Sequence, residues 1–499
     1  MTGAQGVEPG GGRRPGLDLT VAFRTLGCKL NQCETAQMEE ALTAQGYRVV
    51  TWEEAAAYRV VNTCTVTAKT DRTCRHEIRR AMRRDPGSRV VVTGCYAQVA
   101  PEKVAAIPGV ALVLGNPDKF RLADYLEDIP VGLPNAGLPH GDGPEAADRG
   151  HQPRVAVTPY TGTPAFESDF FTHFSGYTRA FLKIQNGCDA SCSYCVIPTA
   201  RGPSRSMPAG KVLAQVRLLA DQGYQEVVLT GIHMGSWGHD TREGGLADLL
   251  TILATHGAVP RYRLSSTEPM EVDDDVLAVM RTHADRFAPH FHVPLQSGSS
   301  DILRRMNRPY SAEQYARRVQ SMRQTFPDAA IGADVIVGFP GETEAHFQET
   351  HELIAGLPLT YLHVFAYSDR PGTRASKMAS KVPPEVIDDR SFRLRTLGAQ
   401  KRRVFEERFR DDELHALLLG QRSSDGRLVA LTGNYIEVLV EADDRLINRF
   451  VYVRPESLRP EGGWMGSLVR VAVDPSGAAD SAGAPTAPAV SASIRGNCR

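Results

Sequence analysis

The 499-residue sequence lacks several features that would place it in a broad class at once. No apolar run approaches the roughly 20 residues that cross a bilayer, so we expect no membrane span. Residues 1–16, MTGAQGVEPGGGRRPG, contain no apolar segment of the kind found in signal peptides, and we therefore expect a cytoplasmic protein. An excess of charge of one sign is also missing. The formal net charge is -1, so any binding of nucleic acid must depend on local basic patches.

The sequence also lacks the even number of cysteines that is typical of a disulfide-bonded protein. The nine cysteines are Cys28, Cys33, Cys64, Cys74, Cys95, Cys188, Cys192, Cys195 and Cys498. An odd number, in a long chain without an export signal, argues against a disulfide framework. Metal binding or redox chemistry is the better explanation for so many thiols.

Composition and periodicity divide the chain into three domains. Gly, Ala, Ser and Pro dominate residues 1–18 and 476–499, and we expect both to be disordered tails. Gly and Pro also interrupt residues 129–172, which we interpret as a linker. The expected domains are therefore 19–128, 173–410 and 411–475.

The first domain alternates strand and helix patterns. Apolar strand-like runs occur in LTVAFRTLGC, YRVVNTC and SRVVVTGCYAQ, with helix-like stretches at 35–45 and 68–84 between them. This alternation predicts a small, Rossmann-like parallel α/β sheet. Cys28, Cys64 and Cys95, which we call the first cysteine triad, each come just after a strand. Because the carboxyl ends of parallel strands share one edge, we expect these thiols to converge there.

The second domain repeats the same alternation. Its six strand candidates are RAFLKIQNGC, EVVLTGI, RYRLSST, HFHVPLQSG, GADVIVGFPGET and TYLHVFAYS, and helical patterns lie between them. Six β/α units predict a partial (β/α)6 barrel of the TIM type, with its site in the loops that follow the strands. From about residue 413, short strands with hairpin signals predict a small C-terminal β-barrel.

The most specific motif is the loop NGCDASCSYCVIPTARG. It contains Cys188, Cys192 and Cys195, which we call the second cysteine triad. Thiolates are soft ligands that suit iron–sulfur clusters or zinc. Three ligands on one loop leave one iron of a 4Fe–4S cube open to a small chelating molecule. The alternative is a structural zinc site, for which the loop lacks a nearby fourth ligand.

This cysteine spacing, at the start of a β/α barrel, resembles the radical S-adenosylmethionine (SAM) enzymes. The motifs TLGCKLNQCET, NTCTVT, TGCYAQ, the second-triad loop, SSTEP, LQSGS, DVIVGFPGET and YSDRPGT follow one another in this order. Together they resemble the methylthiotransferase family from residue 20 to about residue 472. The start TLGCKLNQ, with KIQNGCDASCSYCVIP and LTGNYIEV, is similar to the MtaB type within that family.

The resemblance implies an enzyme that transfers a methylthio group to C2 of N6-threonylcarbamoyladenosine at position 37 of tRNA. It implies two 4Fe–4S clusters, one on each cysteine triad, and two uses of SAM: as methyl donor and as source of a 5′-deoxyadenosyl radical. It assigns no certain catalytic side chain, because the cofactors carry the hard chemistry. The implied partners are the tRNA anticodon loop and an electron donor such as a flavodoxin or ferredoxin. The sulfur donor stays unknown.

Three alternatives remain open at the level of sequence. The enzyme could act on isopentenyladenosine in tRNA or on an aspartate of a ribosomal protein, as other members of the family do. A third alternative is an RNA-binding protein whose iron–sulfur or zinc sites are only structural. The C-terminal barrel resembles a TRAM domain, an RNA-binding module, yet it carries acids such as Glu441, Asp443 and Asp444, which leaves room for a protein substrate.

We expect the SAM contacts in the loops that follow the barrel strands. The candidates are Tyr194, Thr230, Gly231, Glu268, Gln296 and Asp334. Exposed backbone at Thr230 and Gly231 would bond the amino group, and Glu268 would pair with a positive amino or sulfonium group. Gln296 and Asp334 would bond ribose hydroxyls or the carboxylate, and Tyr194 would lie near the adenine. The alternative for each of these positions is an ordinary residue at a strand end.

Other notable residues are expected to be structural. Cys33, Cys74 and Cys498 are interpreted as non-ligands, although Cys33 lies close enough to Cys28 in sequence for a supporting or redox role. His290 and His292 alternate along a strand without an evident third ligand, which favours structural histidines over a metal site.

Two arginine-rich runs are candidates for RNA contact. The first contains Arg72, Arg75, Arg79, Arg80, Arg83 and Arg84, and the second contains Arg390, Arg393, Arg395, Lys401, Arg402 and Arg403. Helical spacing would place several of these side chains on one face, where they would meet phosphates or simply be solvated. Arg201 and Arg205, just past the second triad, would meet a phosphate or the carboxylate of SAM.

Overall fold

The computed structural model describes residues 19–129, 153–162, 165–166, 170–172, 174, 176–459 and 462–472. The tails expected at 1–18 and 476–499 lie outside the described residues, as do Cys498 and most of the linker expected at 129–172.

The N-terminal domain is a six-stranded parallel sheet in the order β2-β1-β3-β4-β5-β6. Its strands are β1 (Thr20–Thr25), β2 (Arg48–Val50), β3 (Tyr58–Thr63), β4 (Arg89–Gly94), β5 (Val110–Leu114) and β6 (Arg154–Ala156). Its helices are α1 (Lys29–Ala44), α2 (Ala68–Arg84), α3 (Cys95–Val99), α4 (Pro101–Ala105) and α5 (Leu122–Leu126). The central strands are buried on both faces, which explains their continuous runs of valine.

This domain differs from the sequence prediction at two points. Helix α1 begins at Lys29, six residues before the predicted start at 35, because Cys28 is its N-cap residue. The short strand β6, inside the expected linker, pairs with β5 through Arg154 and Leu112. These three residues of the expected linker therefore complete the edge of the first sheet.

The central domain has the six β/α units that the sequence predicts. Its parallel strands are β7 (Ala180–Lys183), β10 (Glu226–Thr230), β11 (Arg261–Leu264), β12 (His290–His292), β13 (Ala330–Val337) and β14 (Tyr361–Ala366). Two three-stranded sheets, β11-β10-β7 and β12-β13-β14, are joined by the parallel bridge between Ser266 and His292. The result is a six-stranded partial barrel with β7 and β14 at its two edges.

Helices and two short strands complete this domain. The short strands are β8 (Gln185–Asn186) and β9 (Arg205–Ser206), and the helices are α6 (Ile197–Arg201), α7 (Ala209–Asp221), α8 (Leu246–His256), α9 (Asp274–Thr282), α10 (Ser300–Arg305), α11 (Ala312–Thr325), α12 (Glu344–Gly356) and α13 (Pro384–Glu407). One large core of barrel residues also takes in Cys33 and Ala36 of α1, so the N-terminal domain packs against the barrel at the β7 edge.

The C-terminal domain is a closed five-stranded barrel in the order β15-β16-β17-β19-β18, as the hairpin pattern predicts. Its strands are β15 (Leu414–Arg422), β16 (Leu428–Thr432), β17 (Glu437–Val440), β18 (Phe450–Leu458) and β19 (Trp464–Val471). The turn between β16 and β17 contacts the amino end of the central barrel, where Arg263 Nη1 donates to the carbonyl of Gly433 at 2.7 Å. Among the described residues, no helix has the length and apolar character that a membrane span requires.

Candidate functional site

The first cysteine triad lies along one edge of the N-terminal sheet. Cys28 follows β1, Cys64 follows β3 and Cys95 follows β4, so the parallel sheet brings three distant positions to the same edge. Cys64 and Cys95 are buried, whereas Cys28 is exposed. The approach is close: Gly27 has a positive φ of 108°, and a Cβ there would lie 2.5 Å from Cβ of Cys64. Only glycine fits between the two strand ends.

The three thiols influence one another electrostatically, as groups that share a site do. Burial raises the pKa of Cys64 well above its usual range, and Cys28 and Cys95 raise it further. Two amides also contact the triad. Cys28 donates to Oδ1 of Asn31 at 3.6 Å, and Nδ2 of Asn116 donates to Sγ of Cys95 at 3.8 Å.

A buried carboxylate with three cations lies beside the first triad. Glu34 contacts Nζ of Lys119 at 2.5 Å, Nη1 of Arg201 at 2.6 Å and Nζ of Lys183 at 3.7 Å. All four side chains, which we call the Glu34 node, are 1% exposed. One carboxylate cannot balance three buried cations, and unbalanced buried charge is costly.

The first triad supplies the missing negative charge if its thiols are ionised. Although Cys28 is exposed as a residue, the protein atoms packed around it desolvate its thiol and raise the thiol's pKa, while the charge of Arg201 lowers it. Thiolates, not thiols, bind metal, and three of them would offset the surplus charge of the Glu34 node. Soft thiolates beside surplus positive charge fit an anionic iron–sulfur cluster better than they fit three neutral buried thiols.

The second cysteine triad lies on the loop between β8 and α6, where its thiols are partly exposed. Backbone N–H groups of Ala190 and Ile197 donate to the sulfurs of Cys188 and Cys195, each at 3.4 Å. Such N–H···S bonds stabilise thiolates. The loop therefore offers three closely spaced sulfur ligands with partial access from outside.

Two cations contact the second triad, and each is also paired with an acid. Nη1 of Arg308 donates to Sγ of Cys192 at 3.2 Å, and Nη2 of Arg308 pairs with Glu268. Nδ1 of His233 lies 3.7 Å from Sγ of Cys188, and its Nε2 lies 2.6 Å from Oε1 of Glu271. The hydrogen bonds with Cys188 and Glu271 raise the pKa of His233 to about 10. Charge at this triad is therefore locally balanced.

Four of the predicted SAM residues lie around the second triad. Glu268 pairs with Arg308, and Arg308 in turn contacts the triad. Tyr194 lies within the cysteine loop, where it interacts electrostatically with Arg308 and Cys192. Thr230 and Gly231 end β10, where a Cβ on Gly231 would come within 3.0 Å of Oε1 of Gln185. The backbone at Thr230 and Gly231 and the carboxylate of Glu268 therefore lie near the cysteine loop.

The other two predicted residues, Gln296 and Asp334, lie deeper in the barrel. Gln296 has a positive φ of 66°, and its N–H donates to the carbonyl of Asp334 at 2.8 Å. The Asp334 carboxylate is occupied by imidazoles, since Nε2 of His292 lies 2.8 Å and Nδ1 of His363 lies 3.1 Å from Oδ1. His363 was missed at the level of sequence, although Tyr361, His363 and Phe365 alternate along one strand.

The remaining cysteines are placed as structural residues. Cys33 lies in the barrel core, and burial raises its pKa to about 11. Cys74 donates to the carbonyl of Cys64 at 3.2 Å, and burial raises its pKa to about 12. Both thiols are therefore neutral at physiological pH.

The two arginine runs differ in how many of their side chains are paired with acidic residues. On α13, Arg390 is buried against Glu342 and Glu344, and several other charges of the run pair with neighbouring acids. On α2, Arg72, Arg79 and Arg83 are exposed and have no hydrogen bond or ion pair within the described residues. Arg201 and Arg205 were expected to meet a phosphate or the carboxylate of SAM. Both side chains are buried, so neither faces solvent.

The partial barrel and its cysteine loop define a radical SAM enzyme. Residues 182–354 match the Radical SAM superfamily, and residues 20–115 match a family described as Uncharacterized protein family UPF0004. The fold is similar to the radical S-adenosylmethionine methyltransferase TsrM from Kitasatospora setae, solved with cobalamin and a [4Fe-4S] cluster. The TM-score is 0.51 at 17% identity, covering 72% of this chain and 74% of that one.

Sequence comparison narrows the class. The chain is 37% identical to the threonylcarbamoyladenosine tRNA methylthiotransferase MtaB of Bacillus subtilis, over 87% of this chain and 93% of that one. It is 40% identical to the enzyme of the same name in Aquifex aeolicus, over 84% and 96% of the two chains. A tRNA-2-methylthio-N(6)-dimethylallyladenosine synthase of Cereibacter sphaeroides is 32% identical over 90% and 95%. The chain therefore belongs to the radical SAM tRNA methylthiotransferase family and resembles its MtaB type.

Proposed function

We propose that this enzyme methylthiolates C2 of N6-threonylcarbamoyladenosine at position 37 of tRNA, with one 4Fe–4S cluster on each cysteine triad. One observation carries the proposal: a single chain holds two separate cysteine triads whose surroundings differ in charge. The MtaB relatives favour threonylcarbamoyladenosine as the modified base.

The first triad is suited to an anionic ligand. Its neighbour, the Glu34 node, has more cations than acids and is shielded from water. Positive charge in a buried site stabilises negative charge more strongly than it would in water. In our proposal Cys28, Cys64 and Cys95 hold a cluster whose open iron carries the sulfur to be inserted.

The second triad is suited to SAM, which carries a sulfonium and an ammonium group as well as a carboxylate. Glu268 and Glu271 place carboxylates beside this triad, and Arg308 and His233 balance them. Glu268, with the backbone at Thr230 and Gly231, would orient the amino acid part of SAM, and Tyr194 would lie near its adenine. Gln296, which is partly buried, stays a candidate for ribose contact, whereas Asp334 is already bonded to two histidines.

When bound, the two clusters and SAM would supply methyl transfer to sulfur and a 5′-deoxyadenosyl radical that removes hydrogen from C2. The chain contributes a direct connection between the two triads. Arg201, six residues after Cys195, donates to Oδ1 of Asn31 at 2.6 Å, and Asn31 accepts from Cys28. Asn116, beside Cys95, donates to the carbonyl of Ala200 at 2.7 Å. These bonds fix the first triad relative to the loop of the second.

The surface of α2 is our candidate for the RNA contact. Arg72, Arg79 and Arg83 are exposed without partners in the described residues, and α2 begins just after Cys64. Phosphate contacts would hold the anticodon arm there while the target base is splayed into the barrel. The C-terminal barrel, as a TRAM-like domain, and a flavodoxin or ferredoxin as reductant remain part of the proposal, as do the domain boundaries 19–128, 173–410 and 411–475.

The decisive experiment is mass spectrometry of tRNA nucleosides from cells that lack this protein. We expect 2-methylthio-N6-threonylcarbamoyladenosine to vanish and its unthiolated precursor to accumulate, with recovery on complementation. A change in the isopentenyl analogue instead would assign the enzyme to the sister activity. Unaltered tRNA would contradict the proposal and direct attention to a ribosomal-protein aspartate.

A further inference from the structure

The last barrel strand presents a partly exposed face, and the loop after it contacts the loops of both triads: the N–H of Ala375 donates to the carbonyl of Ser193 at 2.7 Å, and Arg370 donates to Thr65. Tyr361, His363 and Phe365 alternate along β14, and the first two contact His292 and Asp334 on the inner side of the barrel. The side chain of His363 is 31% exposed, and Phe365 is 39% exposed. Because β14 is the edge of its sheet among the described residues, this face can be reached from outside.

The loop after β14 fixes this face next to α2 and the first triad. Oγ of Ser368 accepts from the N–H of Ala68, the first residue of α2, at 2.9 Å. Arg370 donates to Thr65, which follows Cys64, at 2.5 Å, and pairs with Asp71 at 2.9 Å. A base entering beside Phe365 would therefore come from RNA that lies on α2.

A chain of hydrogen bonds orients His363. His290 lies 2.8 Å and His292 3.0 Å from the hydroxyl of Tyr361, and His292 and His363 both contact Oδ1 of Asp334. The two histidines hold the pKa of Asp334 well below its usual range against the effect of burial, so the carboxylate only accepts. Nδ1 of His363 must then donate to Asp334, and the tautomer that does so with a single ring proton carries its lone pair on Nε2.

A metal ion is the main competitor for this cluster. The ligand atoms of His292, Asp334 and His363 lie within 4.8 Å of one another, and two imidazoles with a carboxylate can bind zinc or iron. However, both imidazoles donate protons to the same carboxylate oxygen, and a metal would have to replace those protons. The hydrogen bonds already occupy Nε2 of His292, Nδ1 of His363 and Oδ1 of Asp334 without a cation.

We propose that His363 and Phe365 form the receptor for the N6 substituent and ring of the target adenosine. Phe365 supplies a stacking surface for the splayed base, and Nε2 of His363 accepts a hydrogen bond from the substituent. A threonylcarbamoyl group offers N–H and O–H donors, whereas a dimethylallyl group offers none. His363 thereby favours the threonylcarbamoyl base, an inference that rests on the proposed function.

The test measures RNA binding by the full-length, anaerobically reconstituted protein. Fluorescence anisotropy gives dissociation constants for one anticodon stem-loop with adenosine, N6-threonylcarbamoyladenosine or N6-dimethylallyladenosine at the target position. The variants are His363→Ala, His363→Gln, Phe365→Leu and, as a control on the outer surface of α8, His256→Ala. Iron content and the midpoint of thermal unfolding, both expected to stay unchanged, check that each variant is folded.

We expect wild-type protein and His256→Ala to prefer the threonylcarbamoyl stem-loop. His363→Ala should reduce that preference about five- to tenfold, the usual effect of one neutral hydrogen bond, and His363→Gln should restore part of it. Phe365→Leu should weaken binding of all three RNAs by similar factors.

An unchanged preference in His363→Ala would overturn this inference while leaving the proposed function intact. A wild-type preference for the dimethylallyl RNA would overturn both. Stoichiometric zinc in the purified protein that is lost in His363→Ala would also overturn the inference, by making the cluster a metal site.

Discussion

The two cysteine triads differ most in the balance of charge around them. Beside the first triad, one carboxylate, Glu34, faces three buried cations. At the second triad, the two cations that reach the sulfurs, Arg308 and His233, are paired one to one with Glu268 and Glu271. Three thiolates would carry the same charge at both triads, so the difference in net charge comes from the surrounding side chains. In our proposal the surplus of positive charge favours an anionic sulfur ligand at the first triad, and the balanced charge at the second triad suits the cationic SAM.

The architecture of the two triads matches this division. The first is assembled from three strand ends and is held by the packing of a sheet, with Cys64 and Cys95 buried. The second lies on one short loop at the mouth of a partial barrel, where its sulfurs are partly exposed. A fixed site suits a cluster that stores sulfur, and an accessible loop suits a cofactor that exchanges each turnover.

Alanine at one cysteine of each triad tests the comparison with the largest expected effect. Cys192→Ala should abolish the reductive cleavage of SAM, because the second triad then lacks a ligand. Cys64→Ala should keep that cleavage and lose methylthiolation. Chromatography of 5′-deoxyadenosine together with nucleoside mass spectrometry measures both. Full methylthiolation by Cys64→Ala would contradict the separate roles of the two triads.

Removing the arginine that connects the triads should affect the first one selectively. Arg201→Met deletes the charge that lowers the pKa of the Cys28 thiol, so less thiolate is available and about half of the iron should be lost. The loss should be greater at mildly acidic than at mildly alkaline pH. Arg201→Lys should retain more iron than Arg201→Met. Iron assays and absorption spectra after reconstitution measure the effect, and equal loss from both triads would contradict it.

A second buried carboxylate, whose ion pairs within the described residues include no contact to a cysteine, provides the control for this argument. Glu226 contacts Arg261 at 2.5 Å, Arg263 at 2.9 Å and Arg179 at 3.2 Å, so it too has three cations. Here carbonyls of the C-terminal barrel, at Thr432 and Gly433, accept the remaining N–H groups. This site is a structural connection between two domains rather than a neighbour of a cofactor.

We therefore expect Glu226→Gln to lower the free energy of unfolding by about 3–5 kcal/mol without changing the iron content. Burial alone would raise the pKa of Glu226, but the arginines hold it well below its usual range. Its contribution is thus present above the unfolded value of about 4.3 and is lost as the pH falls below it. Denaturant melts of variant and wild type should converge as the pH falls below that value, and iron loss in the variant would contradict the assignment.

The smallest expected effect concerns the exposed surface of α2 beside the first triad. The double variant Arg79→Glu/Arg83→Glu should weaken tRNA binding. The slope of the logarithm of the association constant against the logarithm of the salt concentration should become smaller in magnitude by about 1.8, because two phosphate contacts are lost. Arg217→Glu, on the exposed surface of α7, is the matched control. Titrations at several salt concentrations measure the slope, and equal slopes in all three proteins would remove α2 from the RNA surface.

The sequence was sufficient for the fold and for the grouping of the cysteines. Valine-rich strands that end in cysteine place Cys28, Cys64 and Cys95 at one sheet edge, and the structure brings them together there. The role of both triads as cluster ligands stays a prediction. The six barrel strands and the small C-terminal β-barrel are confirmed where their patterns indicate them.

The charged surroundings of the triads could not be predicted. Lys119 and Lys183 look like ordinary surface lysines in the sequence, and only packing shows that both are buried against Glu34. The same limit applies to Arg308, whose contact with Cys192 spans 116 residues. Long-range pairing of charges leaves no periodic signal. His363 was missed for a different reason: it alternates with Tyr361 and Phe365 in the sequence, but nothing in that pattern indicates its contact with Asp334.

The most direct test of the two-cluster account is an iron count on a chain without the second triad. Cys188, Cys192 and Cys195 are replaced together by alanine, and the protein is reconstituted anaerobically and assayed for iron, sulfide and absorption. The account predicts about half of the wild-type iron and sulfide, with the spectrum of a 4Fe–4S cluster. A colourless variant without iron would show that the first triad holds no cluster and would contradict the account.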